Sequence, residues 1–376
     1  MTPAESSSIV DLFTELAAVP SPPGEERAVA DRVASYLREL SVAVDEDDAG
    51  AAVGSTAGNL LATLDPTADG VPLFLCAHLD TVPPDGPLEP VVDDGIVRNA
   101  GGTILGADNK AAVAVMLEAA RRVLAEERLH AGIELLFTPK EEVGLLGAAA
   151  FDASRLRARV GYVYDQAAPI GEVILGAPYA QALQVRFHGR ASHSGMYPEE
   201  GRSAIAATAR AISDFRLGRV DEETTANVGV IHGGTAGNIV PEWCTFLAEA
   251  RSHDEGKLAD LIQEMLEAVT FAAELGECEV ETELKKSYRG YRFRRDDLPV
   301  QLATEALRRT GLEPSFALSG GAADANVFND RGLGCVNLAN GMANIHTPDE
   351  QISVADLEAM VDVTLALVDA ARELST

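Results

Sequence analysis

The sequence predicts an α/β protein whose larger domain is interrupted by a smaller α+β domain. In residues 1–176, short apolar, β-rich runs alternate with amphipathic helical segments, the order that builds a sheet flanked by helices. Between residues 177 and 287 the order becomes β-α-β-β-α-β, the split arrangement of a small sandwich. The larger domain resumes at residue 288 and runs to residue 376, ending with helices at 297–310 and 354–373.

Composition and charge exclude several classes of partner and location. The 376 residues are enough for two domains and a large core, and the formal charge of −29 argues against nucleic acid and anionic membranes as partners. No apolar run approaches the roughly 20 residues of a membrane span, and the N-terminus has no signal-like segment, so we expect a cytoplasmic protein. The cysteines are far apart, which favours free thiols over disulfides or a CxxC metal site: Cys76, Cys244, Cys278 and Cys335.

Two amphipathic helices are expected first, over residues 6–19 and 25–40, separated by the helix-breaking sequence PSPPGEE. A strand at residues 59–64 precedes a second apolar run, VPLFLCAHLDTVPP at residues 71–84. This run ends in His78 and Asp80, and a double proline then prevents the strand from continuing. Taken alone, this run is better explained as a core strand that ends in a polar turn. Residues 81–107 form a long connection that contains a predicted hairpin, VVDDGIVRN.

The same arrangement recurs downstream. Asp108 begins a predicted helix that runs to about residue 126, and the predicted strand at 133–138 is followed by two adjacent acids. The strand in GYVYDQ ends in an acid, and a histidine follows a later strand and its loop. Carboxyl ends of strands in open α/β sheets collect ligands, so one end of one sheet is expected to gather seven side chains. They are His78, Asp80, Asp108, Glu141, Glu142, Asp165 and His346.

Two imidazoles and several carboxylates, with no cysteine among the seven side chains, suit zinc, manganese or cobalt in a site open to water. The candidate ligands are His78, Asp108, Glu142, Asp165 and His346. Five ligands exceed the need of one open catalytic zinc, but they fit two metals if one carboxylate bridges. An enzyme with one metal remains an alternative. In the pair Glu141–Glu142, one residue can ligate while the other accepts a proton from water, and Asp80 can orient His78.

The motifs HLDTVPP, GADNKAA, EEVGLLGA, YVYDQ and NIHTPDE, in this order, resemble those of the di-zinc exopeptidases. That family contains peptidase T, aminoacylase, carnosinase-type dipeptidases and carboxypeptidase G. FHGRASHSG, ETTANVGVIHGGTAGNIVPE, EARSHD and SGGAADANVFNDRG look particularly like peptidase T, the tripeptide aminopeptidase. The resemblance implies a zinc-exopeptidase-like catalytic domain with helices on both faces of a mixed, largely parallel sheet. It also implies that the smaller domain acts as a lid and forms a homodimer.

The resemblance assigns roles to matching positions. It implies that His78, Asp108 and Asp165 hold one zinc and that Asp108, Glu142 and His346 hold the other. Glu141 would be the general base and Asp80 the acid that orients His78. A cis peptide is expected between Asp108 and Asn109.

Substrate contacts are implied at His193, Asn238, Arg251, Gly320 and Gly321. His193 would steady the oxyanion, reaching a neighbouring active site, and Arg251 would bind a peptide carboxylate. Two simpler interpretations remain: His193 as an exposed loop residue, and Arg251 paired with a local acid such as Asp254.

Two departures bear on specificity. Gln166 stands after the ligand Asp165, where many relatives have Gly or Ser, which leaves the local pocket shape open. Residue 165 is aspartate rather than glutamate; in the family that this chain resembles, aspartate is commoner in aminopeptidases and dipeptidases, and glutamate in carboxypeptidases and deacylases. We therefore expect a two-metal hydrolase, using zinc, cobalt or manganese, that releases the N-terminal residue of di- or tripeptides. The alternatives are an N-acyl-amino-acid deacylase or a carboxypeptidase with the same metals, and a non-catalytic metal-binding protein.

Overall fold

The structure is a computed structural model that describes residues 8–374. The helices of the described residues are α1 (Ile9–Ala17), α2 (Arg27–Glu39), α3 (Ala49–Val53), α4 (Ala107–Ala125), α5 (Leu146–Ala150), α6 (Ala204–Ser213), α7 (Glu255–Gly276), α8 (Leu298–Arg309), α9 (Asp324–Asp330) and α10 (Val354–Glu373). The strands are β1 (Val44–Glu46), β2 (Leu60–Leu64), β3 (Leu73–His78), β4 (Pro90–Asp93), β5 (Ile96–Asn99), β6 (Ile133–Thr138), β7 (Val160–Gln166), β8 (Glu172–Ala177), β9 (Tyr179–His188), β10 (Gly218–Arg219), β11 (Thr224–Gly233), β12 (Trp243–Ser252), β13 (Glu279–Tyr288), β14 (Tyr291–Arg292), β15 (Ser315–Leu318), β16 (Gly334–Ala339) and β17 (Gln351–Ser353).

The described part of the chain divides into two compact units, residues 8–176 with 292–374, and residues 177–291. The sequence-based boundary at residue 287 falls four residues before the end of the smaller unit. In the larger unit, a nine-stranded sheet has the order β1-β2-β6-β3-β7-β16-β8-β14, with β15 beside β8. Its centre is parallel, from β6 through β3 and β7 to β16, whereas β2 and β8 run antiparallel to their inner neighbours.

Helices cover both faces of this sheet, as the alternating side chains of β3 illustrate. Leu73, Leu75 and Ala77 belong to the core shared with α1, α2, α4, α8 and α10. Phe74 points to the other face, where its ring meets Phe328 of α9 edge-on at 5.2 Å between centroids. The predicted class, a mixed and largely parallel sheet between helices, is confirmed.

The start of α4 is irregular. Gly106 precedes the helix with a left-handed φ of +77°, and Asp108 and Asn109 have non-helical backbone angles. The peptide between them is cis, as expected. Nearly every side chain from Ala107 to Ala120 is buried, because α4 packs against β3 and β7 on one side and against α1 and α10 on the other.

The smaller unit is a five-stranded antiparallel sheet in the order β10-β11-β12-β9-β13, with α6 and α7 packed on it. Alternate residues of β9, Leu183, Val185 and Phe187, share a core with Leu258 and Met265 of α7. The element order matches the predicted β-α-β-β-α-β pattern, with the two-residue strand β10 added.

Several elements were missed, among them β8, β15 and α9. The strand β15 has four residues and α9 has seven, too few for a hydrophobic period to emerge, whereas β8 has six residues and lies toward one edge of the sheet. All four cysteines are free, as expected; three are buried, and Cys278 is half-buried. Among the described residues, no helix has the length and apolar character needed to cross a membrane.

One glycine fixes the packing beneath the sheet. Gly161 of β7 lies opposite Phe74 of β3, and a Cβ at Gly161 would stand 2.1 Å from the Phe74 ring. No side chain fits there without displacing that ring, which also packs on Phe328.

We expect Gly161→Ala to lower the free energy of unfolding by about 1–3 kcal/mol, the usual cost of overpacking a core. Denaturant unfolding of the purified protein measures this change. Gly320→Ala is the control in the same unit, because a methyl group there meets open space. Equal stability of the Gly161→Ala variant and the control would contradict the packing argument.

Candidate metal centre

The predicted ligands converge because three parallel strands end at one edge of the sheet. His78 is the last residue of β3, Asp165 lies next to the end of β7, and Glu142 follows the end of β6 in a turn. β3 pairs in parallel with both β6 and β7, so their carboxyl ends are neighbours. Asp108 enters from the irregular start of α4, and His346 from the loop that follows β16.

Asp108 stands between two groups of ligand-type side chains. One group is His78, Asp108 and Asp165, the other is Asp108, Glu142 and His346, and in each group the ligand atoms lie within 4.8 Å of one another. Asp108 Oδ1 is 3.1 Å from His78 Nε2, whereas Asp108 Oδ2 is 3.2 Å from His346 Nε2. The two oxygens of one carboxylate therefore face two different imidazoles.

The two groups differ in their access to solvent. His78 Nε2 lies 3.8 Å from Asp165 Oδ1, and both side chains are less than a tenth exposed. His346 Nε2 lies 3.1 Å from Glu142 Oε1, but the His346 side chain is 44% exposed. The first group is enclosed, and the second opens to water.

The electrostatics of the centre favour a cation. Burial raises the pKa of Asp165 to about 7, and the charge of Asp108 adds to the rise. Burial, with the charge of Asp165, holds the pKa of Glu141 well above its usual range. Hydrogen bonds to Asp108 and Glu142 raise the pKa of His346 to about 10. Each of these three shifts favours the protonated form of its side chain. The net charge of the crowded group of carboxylates and imidazoles thereby becomes less negative.

The donor chemistry fits divalent metals. The two groups offer two imidazole nitrogens and three carboxylates, and the ion pairs of those carboxylates within residues 8–374 are with the two imidazoles. Nitrogen and oxygen donors without thiolate suit zinc, cobalt or manganese. The shared carboxylate of Asp108 directs one oxygen toward each imidazole and so belongs to both groups of ligand-type side chains.

Asp80 supports the centre differently from the sequence-based expectation. His78 Nδ1 lies 2.8 Å from the main-chain oxygen of Asp80, but 3.6 Å from its carboxylate. That carboxylate instead accepts the main-chain N–H groups of Glu141 at 2.9 Å and Glu142 at 3.1 Å. Asp80 therefore orients the imidazole through its backbone and fixes the turn of the two glutamates through its side chain.

Sequence reasoning missed three residues that hold the ligands. The side-chain amide of Asn337, on β16, makes two hydrogen bonds to the main chain of Asp165. It accepts the Asp165 N–H and donates to the Asp165 carbonyl, both at 2.9 Å. Asn340 donates to the carbonyl of Tyr164 at 2.8 Å. Glu350 is buried and accepts the N–H of Asp108 at 2.9 Å. The available signals were an asparagine within the apolar strand GCVNLA and an acid four residues after His346.

The predicted substrate residues fall in both units. Gly320 and Gly321 lie between β15 and α9 in the larger unit. In the smaller unit, the loops of His193 and Asn238 are joined by the N–H of Ser194, which donates to the Asn238 carbonyl at 3.1 Å. His193 Nδ1 accepts the N–H groups of Gly195 and Met196, each at 3.2 Å. Its ring proton is therefore on Nε2, and that nitrogen is a donor.

Arg251, on β12 of the smaller unit, has a local acidic partner. Its Nε and Nη2 donate to the two carboxylate oxygens of Glu249, at 2.7 and 3.1 Å. Asp254, the partner considered from sequence, instead accepts main-chain N–H groups at the start of α7. The guanidinium is therefore oriented by its own strand.

Residues 74–370 match the family described as Peptidase family M20/M25/M40. The chain belongs to this family and is a metallopeptidase. It is 38% identical over 366 residues to the uncharacterized protein YqjE of Bacillus subtilis (strain 168), covering 97% of this chain and 98% of that protein.

Two solved structures are similar along almost the whole chain. Aminopeptidase PepT from Bacillus cereus ATCC 10987 superposes with a TM-score of 0.89 at 38% identity, covering 96% of this chain and 98% of that one. A tripeptidase from Staphylococcus aureus subsp. aureus Mu50 gives a TM-score of 0.92 at 35% identity, covering 97% and 98%. The peptidase T-like resemblance and the fold class predicted from sequence are confirmed.

We expect Asp80→Asn to lower the peptidase kcat by roughly 10–100-fold, the usual cost of losing a residue that supports a metal site. An asparagine side chain can accept only one of the two N–H groups of Glu141 and Glu142. The bond from His78 to the main-chain oxygen survives the substitution, so the metal content should be retained.

Asp85→Asn is the matched control, because Asp85 is exposed. For each variant, kcat is measured together with the metal content, which elemental analysis gives. A variant that loses metal but keeps its turnover per bound metal would indicate that the Asp80 carboxylate acts on His78 instead.

Proposed function

We propose that the centre binds two divalent metal ions, zinc by preference, with cobalt or manganese as alternatives. His78, Asp108 and Asp165 would hold one, and Asp108, Glu142 and His346 the other. The observation that carries the proposal is the division of the Asp108 carboxylate between two imidazoles, at 3.1 and 3.2 Å. A site for one metal gives no reason for this arrangement.

We propose further that the centre hydrolyses the amide bond of a short peptide. Bound divalent ions polarise a carbonyl and lower the pKa of water. Glu141 belongs to neither ligand group and follows β6 beside Glu142, with its main-chain N–H held by Asp80. Its carboxylate is therefore the group left to accept the proton of the attacking water, as a general base.

Release of the N-terminal residue from di- or tripeptides is the favoured reaction. The solved structures similar to this chain at 38% and 35% identity carry the names aminopeptidase and tripeptidase. Aspartate at residue 165 points the same way. The rival reactions, deacylation of N-acyl amino acids and carboxypeptidase cleavage, would use the same ligands with another pocket.

The substrate contacts form part of the proposal. His193 would donate from Nε2 to the oxyanion, a role for which its Nδ1 contacts leave the right nitrogen protonated. Arg251, oriented by Glu249, would bind the peptide carboxylate, and Asn238, Gly320 and Gly321 would line the substrate. The smaller unit would act as a lid and as the contact of a homodimer.

We expect Glu141→Gln to lower kcat on a tripeptide by at least roughly 100-fold, because a neutral amide cannot accept the proton. The variant should still bind two zinc ions, since Glu141 lies outside both ligand groups. Continuous peptide hydrolysis assays and elemental analysis measure both quantities.

Glu313→Gln, an exposed substitution of the same kind, should leave both quantities unchanged. Equal rates for Glu141→Gln and the wild type would remove Glu141 from the mechanism.

The substrate class is tested by a panel of free tripeptides, N-acetyl amino acids and N-blocked peptides, with products identified by mass spectrometry. Cleavage after the first residue of free tripeptides is the expected result. Turnover of N-acetyl amino acids alone would make the protein a deacylase, and release of the last residue would make it a carboxypeptidase. If the protein bound two metals but turned over none of these substrates, the result would favour a non-catalytic metal-binding protein.

A further inference from the structure

Glu350 is a buried carboxylate with three main-chain donors. The side chain is 1% exposed. Its Oε2 accepts the N–H groups of Leu105 and Gly106, each at 2.8 Å, and its Oε1 accepts the N–H of Asp108 at 2.9 Å. Hydrogen bonds to an ionised acceptor are short and strong. The main chain of residues 105–108 is therefore held in place by this one side chain.

The same residue closes the loop that carries His346. Ala343 and Gln351 exchange two main-chain hydrogen bonds, at 2.9 and 3.0 Å, which define the base of the loop. Between them, residues 346–349 are exposed, and His346 has a left-handed φ of +64°. Glu350 is the buried residue at the end of this segment, and its contact across the site is with the Asp108 turn.

The two ligand groups therefore have unequal support. In the first group, His78 and Asp165 stand on β3 and β7, and Asn337 brackets Asp165. In the second group, His346 lies on an exposed loop and Asp108 at an irregular helix start. The two segments meet where His346 Nε2 is 3.2 Å from Asp108 Oδ2. The side chain of Glu350 connects these two segments.

Resting on the two-metal centre proposed above, we propose that Glu350 is a positioning residue for the second metal. It affects the affinity of the group Asp108, Glu142 and His346 more than that of the group His78, Asp108 and Asp165. Asp108 belongs to both groups, but the other two members of the latter stand on strands. Within residues 8–374, the hydrogen bonds of the Glu350 side chain are to main-chain N–H groups and not to either imidazole, so it acts by fixing the distance between a loop and a helix start.

Glu350→Gln tests the proposal, because an amide offers one acceptor where the carboxylate offers two and must lose at least one of the three bonds. The metal-free variant is titrated with Co²⁺ alone, following the visible d–d absorption of each bound equivalent. We expect the second equivalent to bind at least roughly 10-fold more weakly, with an altered spectrum, and the first to be weakened clearly less.

Asp349→Asn is the matched control, since it removes one negative charge from the adjacent, exposed position of the same loop. It should bind both equivalents with the wild-type affinities and spectra. Where Glu350→Gln fails to fold, judged by circular dichroism, Glu350→Asp replaces it: the charge is kept, but the shorter side chain cannot reach all three N–H groups.

Equal weakening of both equivalents, or no weakening of either, would overturn the proposal. The wild-type titration separates this outcome from a failure of the proposed function. Two bound Co²⁺ ions without peptide turnover would refute the hydrolase and leave the role of Glu350 standing. Fewer than two would refute the two-metal centre and, with it, the positioning role.

Discussion

The carboxylate of Asp108 is the constraint on which the centre depends. Each of its oxygens faces a different imidazole, His78 at 3.1 Å and His346 at 3.2 Å. His78 stands at the end of a buried strand, and His346 on the loop after β16. Asp108 lies at the irregular start of α4, where its backbone angles are non-helical.

Buried acids holding main-chain N–H groups are the recurring means of support. Asp80 holds the turn of Glu141 and Glu142, and Glu350 holds the turn of Asp108. Because both acids are buried and hydrogen-bonded to backbone, each fixes a short irregular segment that the sheet itself does not pair. The concentration of negative charge that results is what a pair of divalent cations would neutralise.

Much of this was accessible from sequence because each ligand follows a strong strand or helix pattern. The apolar run before His78 and the strand before Glu141 gave the sheet, and parallel order gave one shared edge. The supporting contacts were not accessible. Nothing in HLD distinguishes the main-chain oxygen of Asp80 from its carboxylate, and the reach of Glu350 to Asp108 spans 242 positions of sequence. Glu249 proved to be an acidic partner of Arg251, two residues before it on the same strand, where side chains share a face.

The most direct test of the central claim is a crystal structure of the zinc-loaded protein with anomalous diffraction measured across the zinc edge. The account predicts two anomalous peaks, one among His78, Asp108 and Asp165 and one among Asp108, Glu142 and His346, with one Asp108 oxygen bound to each ion. A single peak at full zinc loading, or two peaks of which only one contacts Asp108, would contradict it.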